Sequence, residues 1–427
     1  MQTYDEMVDS GVDWLGKIPA TWTIGRVGSL FKQRNEKVSD KDFEPLSVTK
    51  KGIVPQLENA AKTNDSDNRK KVLAGDFVIN SRSDRKGSSG VSPLDGSVSL
   101  INTVLVGSKL DSGYSHHLFR SYPFQEEFYK WGQGIVADLW STNYQRMKSI
   151  AIPLPTEQQQ REIADYLDKE TAQIDDLIAK QERLLELLEE KRRATITHAV
   201  THGLDPNVEL KRTSIPWLSK IPTYRSVNKL RGALILNTGG TWGGDPHDDG
   251  TDIVVLRSTE QAVDGSWRLD SPALRQITQS EYEKTRLRAG DLLVTKSSGS
   301  ELHIGKTSIV DHTTEGYSYS NFMQRLRLTT NQCPKYFWYL LNSNLAREQY
   351  NYYSNSTSGL ANLNSTIFNG LQFVDFGIGE QEEISLHLDI ESKKYAVLEQ
   401  KIQTQISLLR ERRTSLISHA VTGKVKV

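Results

Sequence analysis

Thr197-His198-Ala199-Val200-Thr201 and Ser418-His419-Ala420-Val421-Thr422 are nearly one peptide written twice, 221 residues apart in a chain of 427. The register holds without a gap back to Ile163 and Ile384, and 15 of these 39 positions are identical. The repeating residues are Ile163, Leu167, Asp168, Glu170, Leu177, Lys180, Leu187, Leu188, Glu190, Arg192, Ile196, His198, Ala199, Val200 and Thr201. Upstream, three shorter echoes keep the same order. Trp14-Leu15-Gly16-Lys17-Ile18-Pro19 matches Trp217-Leu218-Ser219-Lys220-Ile221-Pro222, Ala74-Gly75-Asp76 matches Ala289-Gly290-Asp291, and Leu139-Trp140-Ser141-Thr142 matches Leu363-Asn364-Ser365-Thr366. Four echoes in one order imply a tandem duplication.

Each copy ends in a segment that reads as one long helix. From Glu157 to Thr201 there is no proline or glycine, and the segment would rise about 65 Å at 1.5 Å per residue. Leu167, Ile174, Leu177, Leu184 and Leu188 are spaced by threes, fours and sevens, as are Leu388, Tyr395, Leu398, Ile402 and Leu409. That is a heptad-like apolar stripe, with Gln181 and Gln405 as polar members that can fix register. Pro153-Leu154-Pro155 precedes the first helix, with Thr156 as its N-cap, and Gly377-Ile378-Gly379 precedes the second. A stripe this long needs a partner, and each helix is the obvious partner for the other. The chain returns through a globular part between them, which favours antiparallel pairing.

The part before each helix is rich in Gly, Ser, Thr, Asn and aromatic residues. Short apolar runs such as Phe77-Val78-Ile79 and Ile253-Val254-Val255-Leu256, bounded by turn residues, read as strands. The expected fold is α+β: two mixed α/β domains joined by two long antiparallel helices forming a coiled coil, with an internal pseudo-twofold repeat. The expected boundaries are 1–152 and 204–377 for the domains, and 153–203 and 378–427 for the helices.

The 53 basic and 53 acidic residues cancel, which excludes a uniformly basic nucleic-acid coat. The single cysteine, Cys333, excludes an intrachain disulfide and a cysteine-rich zinc site. No run of about 18 apolar residues is present, so no membrane span is expected. Met1 to Ser10 is acidic and polar rather than a secretory signal, so a cytoplasmic protein is expected. Gly299 to Lys306 imitates a phosphate-cradling loop but has five residues between its glycines instead of four, and is followed by a strand-like Ser308-Ile309-Val310. His116-His117 and His247-Asp248-Asp249 lack a second ligand cluster. No nucleophile elbow, nuclease signature or base-flipping methyltransferase loop occurs. The reading is a binding protein without catalysis or metal of its own.

Charge is distributed unevenly. Residues 23–152 hold 19 cations against 14 anions, whereas residues 153–201 hold 7 against 11. Cations, small polar residues and glycines gather in loops: Lys50 and Lys51; Arg69, Lys70 and Lys71; and Ser81, Arg82, Ser83, Arg85, Lys86 and Ser88. In the second copy the corresponding candidates are Thr238, Thr241 and Trp242; Lys296, Ser297, Ser298, Ser300 and Lys306; and Asn355, Ser356 and Thr357. Lys and Arg suit phosphates, and Arg, Asn and Ser can read base edges. Two such modules on one helical frame would act as a ruler for separated half-sites. A scaffold that bridges proteins without DNA is the alternative, and the basic loops argue against it.

The ordered set resembles the specificity subunit of Type I restriction–modification systems. The residues that carry the resemblance are Val12 to Pro19 with Trp22, the two Ala-Gly-Asp turns, Ile152 to Gln160 with Ile163, and Glu380-Gln381-Glu382-Glu383-Ile384. Gly377-Ile378-Gly379 departs from the family's usual prolines. The resemblance implies two target recognition domains reading a split sequence in double-stranded DNA, with the helices setting the gap. It also implies two docked methyltransferase subunits that use S-adenosylmethionine to modify adenine, and restriction (translocase) subunits that use ATP and magnesium. The chain itself would hold no cofactor.

Overall fold

The structure is a computed structural model describing residues 3–58, 67–107, 109–134, 140–247, 250–298, 303–354 and 362–427. Contacts divide the chain into two compact units. The first is Met1–Glu182 with Gln403–Val427, and the second is Arg183–Ile402. The cuts fall inside both long helices, Glu157–His202 and Ile378–Val421, and not at the helix ends where domain boundaries were expected.

The first unit is built on an antiparallel sheet ordered Ser89–Val91, Phe77–Asn80, Asn102–Gly107, Phe31–Gln33. The second unit repeats it as Thr307–Ile309, Leu292–Thr295, Met323–Leu328, Leu234–Gly239. In both, the strand after Ala-Gly-Asp lies second and is buried along its whole length. Both faces of that strand are covered, so the run is apolar without alternation. Phe77 and Ile79 face the core under the helices Ser112–Arg120 and Tyr122–Lys130, while Val78 faces a smaller core with Val72, Val98 and Val104. Leu292 and Val294 are likewise separated from Leu293. The smaller sheets diverge. The first unit orders Gly96–Val98, Arg69–Val72, Lys37–Val38, all antiparallel, whereas the second pairs Ile253–Leu256 in parallel with Ser318–Tyr319.

Gly75 and Gly290 adopt φ of 92° and 85°, a left-handed turn that suits glycine. Each turn is closed by the aspartate that follows. Asp76 accepts from the Leu73 amide and, through both oxygens, from Arg34; Asp291 accepts from the Arg288 amide and both arms of Arg327.

The two long helices pack together, and they run antiparallel within each unit. In the first unit Asp175 pairs with Arg413 and Glu182 with Arg410. In the second, the Thr195 and Tyr395 hydroxyls bond at 3.0 Å, and Gly203 lies beside Glu380. Buried Gln160 and Gln381, 221 residues apart, do the same work at the helix starts. Gln160 accepts from the Asp111 amide and donates to the Pro155 carbonyl, and Gln381 accepts from the Cys333 amide and donates to the Phe376 carbonyl. The Tyr114 hydroxyl lies within hydrogen-bonding distance of the Pro153 and Val421 carbonyls, and that of Tyr336 reaches Val374 and Val200. Each globular part therefore grips the start of its own helix and the end of the other. Thr156 caps the first helix as expected, accepting from the Gln159 amide.

The apolar stripe needs correcting. Leu167, Ile174, Leu388, Tyr395 and Ile402 are buried, and Leu188 and Leu409 are partly so. Leu177, Leu184 and Leu398 are each 45% exposed, and Gln405 is exposed. Ten residues at about 100° each fall 80° short of three turns, so Leu177 leaves the face that holds Leu167, as Leu398 leaves that of Leu388. Ile178 and Ile406 take the inward positions. Gln181 is partly buried, with Oε1 lacking a partner. The echo of Leu139–Thr142 also shifts. The matching helix caps are Asn143 and Asn364, again 221 apart, and Leu139 lies outside the described residues.

In the second unit the chain runs from the first long helix into the hairpin Leu210–Ile215 and Leu218–Pro222. In the first unit the matching hairpin, Met7–Asp9 and Lys17–Pro19, meets the second helix without that covalent link. Lys424 donates to the Leu15 carbonyl at 2.8 Å and also to that of Lys17. No helix among the described residues is long and apolar enough to cross a membrane.

Candidate nucleic-acid interface

The first unit opens a cleft of about 670 Å³ between the hairpin Leu46–Thr49 and Gly52–Pro55, the turn Ser83–Arg85 and the loop before Asn102. Its lining is mostly polar: Ser47, Thr49, Lys50, Gln56, Arg69, Asn80, Asp84, Arg85, Ser88, Ser99 and Asn102, with Leu46, Val48 and Leu57. Gly52, at φ 120°, lets the hairpin turn so that Lys50 and Lys51 stand exposed at its tip. Arg82 and Arg85 are exposed beside the cleft, and among the described residues Arg85 has only its neighbour Asp84 as an ion-pair partner, at 3.6 Å. Asn102 is buried. Its amide group donates to Ser99, while its Oδ1 has no partner among the described residues.

Other expected residues are spent on the fold. Arg69, Lys70 and Lys71 form a strand rather than a loop. The Arg69 guanidinium is buried against the Ser97 hydroxyl and carbonyl, and burial lowers its pKa. Lys70 donates to the Asn102 carbonyl at 2.6 Å, and burial lowers its pKa too. Lys71 pairs with Glu36 over the Phe43 ring. Lys86 pairs with Glu126. Ser81 donates to the Ile101 carbonyl, the Ser83 amide donates to the Trp140 carbonyl, and Ser88 is buried at the cleft wall.

The second unit has a cleft of similar volume with a different lining: Thr238, Lys284, Arg286, Arg288, Arg325 and Arg327 with Glu283 and Glu315. Lys284, Arg286 and Arg288 are exposed and have no ion-pair partner among the described residues. Sequence reasoning passed over them. The Ala-Gly-Asp register could have found them, because Arg286 stands three residues before Ala289 as Lys71 stands before Ala74. Arg325 is buried, donates to the Arg286 and Lys284 carbonyls, and has its pKa lowered by burial.

Of the residues expected here, Thr238 bonds the Tyr319 hydroxyl and Arg325. Thr241 donates to Glu281, and Trp242 lies 4.0 Å under the Arg275 guanidinium. Lys296 is partly buried beside Gly239, and burial lowers its pKa. Ser297 donates to Asn362. Lys306 is a correction. It is 4% exposed, and its ammonium donates to the Ser258 and Gln261 carbonyls. The strand Thr307–Ile309 follows where a phosphate loop would need a helix, so Lys306 is a core strut. Ser298 is half-buried. Ser300, Asn355, Ser356, Thr357 and Asp248-Asp249 lie outside the described residues.

No protein-family model matches the chain. It is 23% identical over 279 residues to the StySPI type I restriction enzyme specificity subunit of Salmonella potsdam, covering 65% of this chain and 58% of that relative. This match spans less than two thirds of the relative's length. The chain is 22% identical over 438 aligned positions to the EcoKI specificity subunit of Escherichia coli, covering 96% and 90%. Its fold matches a chain from a solved type I restriction–modification system at a TM-score of 0.71 and 14% identity, covering 96% and 99%. The chain thus resembles type I specificity subunits in sequence, and shares their fold.

Proposed function

We propose that this chain is the DNA-reading specificity subunit of a type I restriction–modification complex. One observation carries the reading beyond resemblance. The two units repeat the same four-stranded sheet order, yet line their clefts with different side chains. One is rich in hydroxyls and carboxamides with Lys50 and Arg85 as its exposed cations beside Asp84, and the other exposes Lys284, Arg286 and Arg288 beside Glu283 and Glu315. A repeated frame with unlike readers suits a target made of two unlike half-sites. The helix pair joins the readers and sets the gap between half-sites. The chain is not an enzyme. It acts from the cytoplasm, and its two methyltransferase subunits and its restriction subunits carry S-adenosylmethionine, ATP and magnesium.

The test is an electrophoretic shift with the full chain and its copurified methyltransferase, over duplexes of varied sequence at moderate salt. A sequence-dependent shift is expected, and its absence defeats the proposal. Arg85→Gln should weaken one half-site by about 1–3 kcal/mol if it reads a base. Equal loss at both halves would defeat modular reading.

A further inference from the structure

In the first unit, a second cavity of about 330 Å³ lies between the helix Ser112–Arg120, the turns at Lys50 and Gly87, and the two long-helix segments. Lys50, Lys86, Arg120 and Arg413 line it. Asp168 lines it as well, 69% exposed and hydrogen-bonded to His117 at 2.7 Å, while Asp175 holds both arms of Arg413 and Glu126 pairs with Lys86. Arg120 has no carboxylate within ion-pair distance among the described residues. Its guanidinium contacts His116 Nε2 and donates to the Lys50 carbonyl, both at 2.6 Å. Neither group neutralises it. Burial, reinforced by Arg120, pushes His116 down to about 3, so His116 is uncharged at neutral pH. Burial and then Arg413 push the pKa of Arg120 itself down. A cation held this way lacks its counter-charge.

The second unit supplies an internal control. Asp389 stands where Asp168 does, and Tyr339 donates to it in place of His117. One residue earlier His116 becomes Trp338, and three residues later Arg120 becomes Asn342. The Asn342 amide is fully used, accepting from the Thr307 amide and donating to the Thr307 and Trp338 carbonyls. The fold thus closes this corner with an indole and a carboxamide and does not require a guanidinium at position 120, whereas Arg413 has its own counterpart in Arg192. Arg120, present in one copy alone, marks a ligand.

We propose that this cavity binds a phosphate group, with the half-buried Arg120 as its anchor and Arg413, Lys50 and Lys86 completing it. Paired guanidinium groups match the geometry of phosphate oxygens. Lys50 also lines the candidate DNA cleft, so a backbone phosphate is the favoured source and a free mononucleotide or inorganic phosphate the other. Only the source rests on the DNA-reading proposal; the site does not.

The full chain and its Arg120→Asn variant, which adopts the second copy's own residue, are unfolded thermally in sodium phosphate and in sodium chloride of equal ionic strength. Phosphate should raise the wild-type midpoint above its chloride value, and Arg120→Asn should remove that increment while keeping the chloride midpoint. Should Arg120→Asn lower the chloride midpoint, Lys86→Gln replaces it and should shrink the increment. The second arm measures duplex affinity against salt. A backbone phosphate predicts that the variant's logarithmic salt slope falls by about 0.9. An unchanged slope with a lost phosphate increment assigns the site to a free phosphate. No phosphate increment in wild type, together with unchanged slopes in both variants, overturns the proposal. A chain that binds no DNA at all leaves the phosphate arm to decide alone.

Discussion

In the first unit Asp76 is answered by Arg34, which follows the edge strand Phe31–Gln33. In the second, Asp291 is answered by Arg327, which sits on the neighbouring strand Met323–Leu328. Asp168 is answered by His117, and its counterpart Asp389 by Tyr339. The carboxylates keep their places in both copies while their partners change residue type or strand. Asp76 and Asp291 are buried and have to be satisfied, but several neighbours can reach the same two oxygens. Duplication therefore preserved what closes the turns and seats the helices, and left the donors free to drift. The surfaces that face a ligand drifted further still.

The largest effect tests the preserved part. Asp291 is 1% exposed and holds both an amide and a guanidinium. Asp291→Ala should cost about 3–5 kcal/mol in denaturant unfolding, since it strands Arg327. Asp76→Ala should cost a comparable amount. A loss below about 1 kcal/mol at either position would mean that the turn glycine, rather than the aspartate, sets the geometry.

Next comes the phase of the helices. Leu167→Ala should cost about 2–5 kcal/mol, and Leu177→Ala less than about 0.5 kcal/mol. Equal costs would restore the strict heptad stripe. This pair also marks what the sequence could and could not reveal. Helix limits, the cap at Thr156 and the repeat were all legible, because absent breakers, capping chemistry and identity are local. The inward face was not. A seven-residue stripe and a straight helix of 3.6 residues per turn diverge within ten residues, and only packing decides between Leu177 and Ile178. The cleft was legible where cations sit in a turn, as at Lys50 and Arg85. It was illegible where they sit in a strand, since Arg69 and Lys70 spend their charge on carbonyls that the sequence does not place. Gln160 and Gln381 stood in the helix-start motif, yet their donors, Asp111 and Cys333, are distant in the chain.

Acid should separate the two copies. Burial is the first cause lowering the pKa of both His116 and His117, and it takes His116 to about 3. The unfolded chain takes up these protons near the ordinary histidine value of about 6.5, and the folded chain does not. The stability they allow is fully present above about pH 6.5 and is lost progressively as pH falls toward 3. By pH 5, His116 alone should remove about 2 kcal/mol. His116→Trp, the residue of the second copy, should flatten unfolding free energy between pH 6.5 and 5. An equally steep profile in that variant would assign the acid sensitivity elsewhere.

The smallest expected effect concerns how the helices hold each other. In the first unit the visible links are ionic and wet: Asp175, 53% exposed, with Arg413, and Glu182 with Arg410. In the second unit position 396 is alanine, so the Asp175 link has no counterpart, and Thr195 bonds the Tyr395 hydroxyl instead. Exposed ion pairs contribute about 0.2–1 kcal/mol and weaken with salt. A neutral hydroxyl bond contributes about 0.5–1.5 kcal/mol and does not depend on salt in that way. Tyr395→Phe should therefore cost the same in 0.1 M and 1 M sodium chloride, whereas a double-mutant cycle of Asp175→Asn with Arg413→Gln should show coupling that disappears at the higher concentration. Coupling that survives 1 M salt would mean that Asp175 and Arg413 are shielded from solvent.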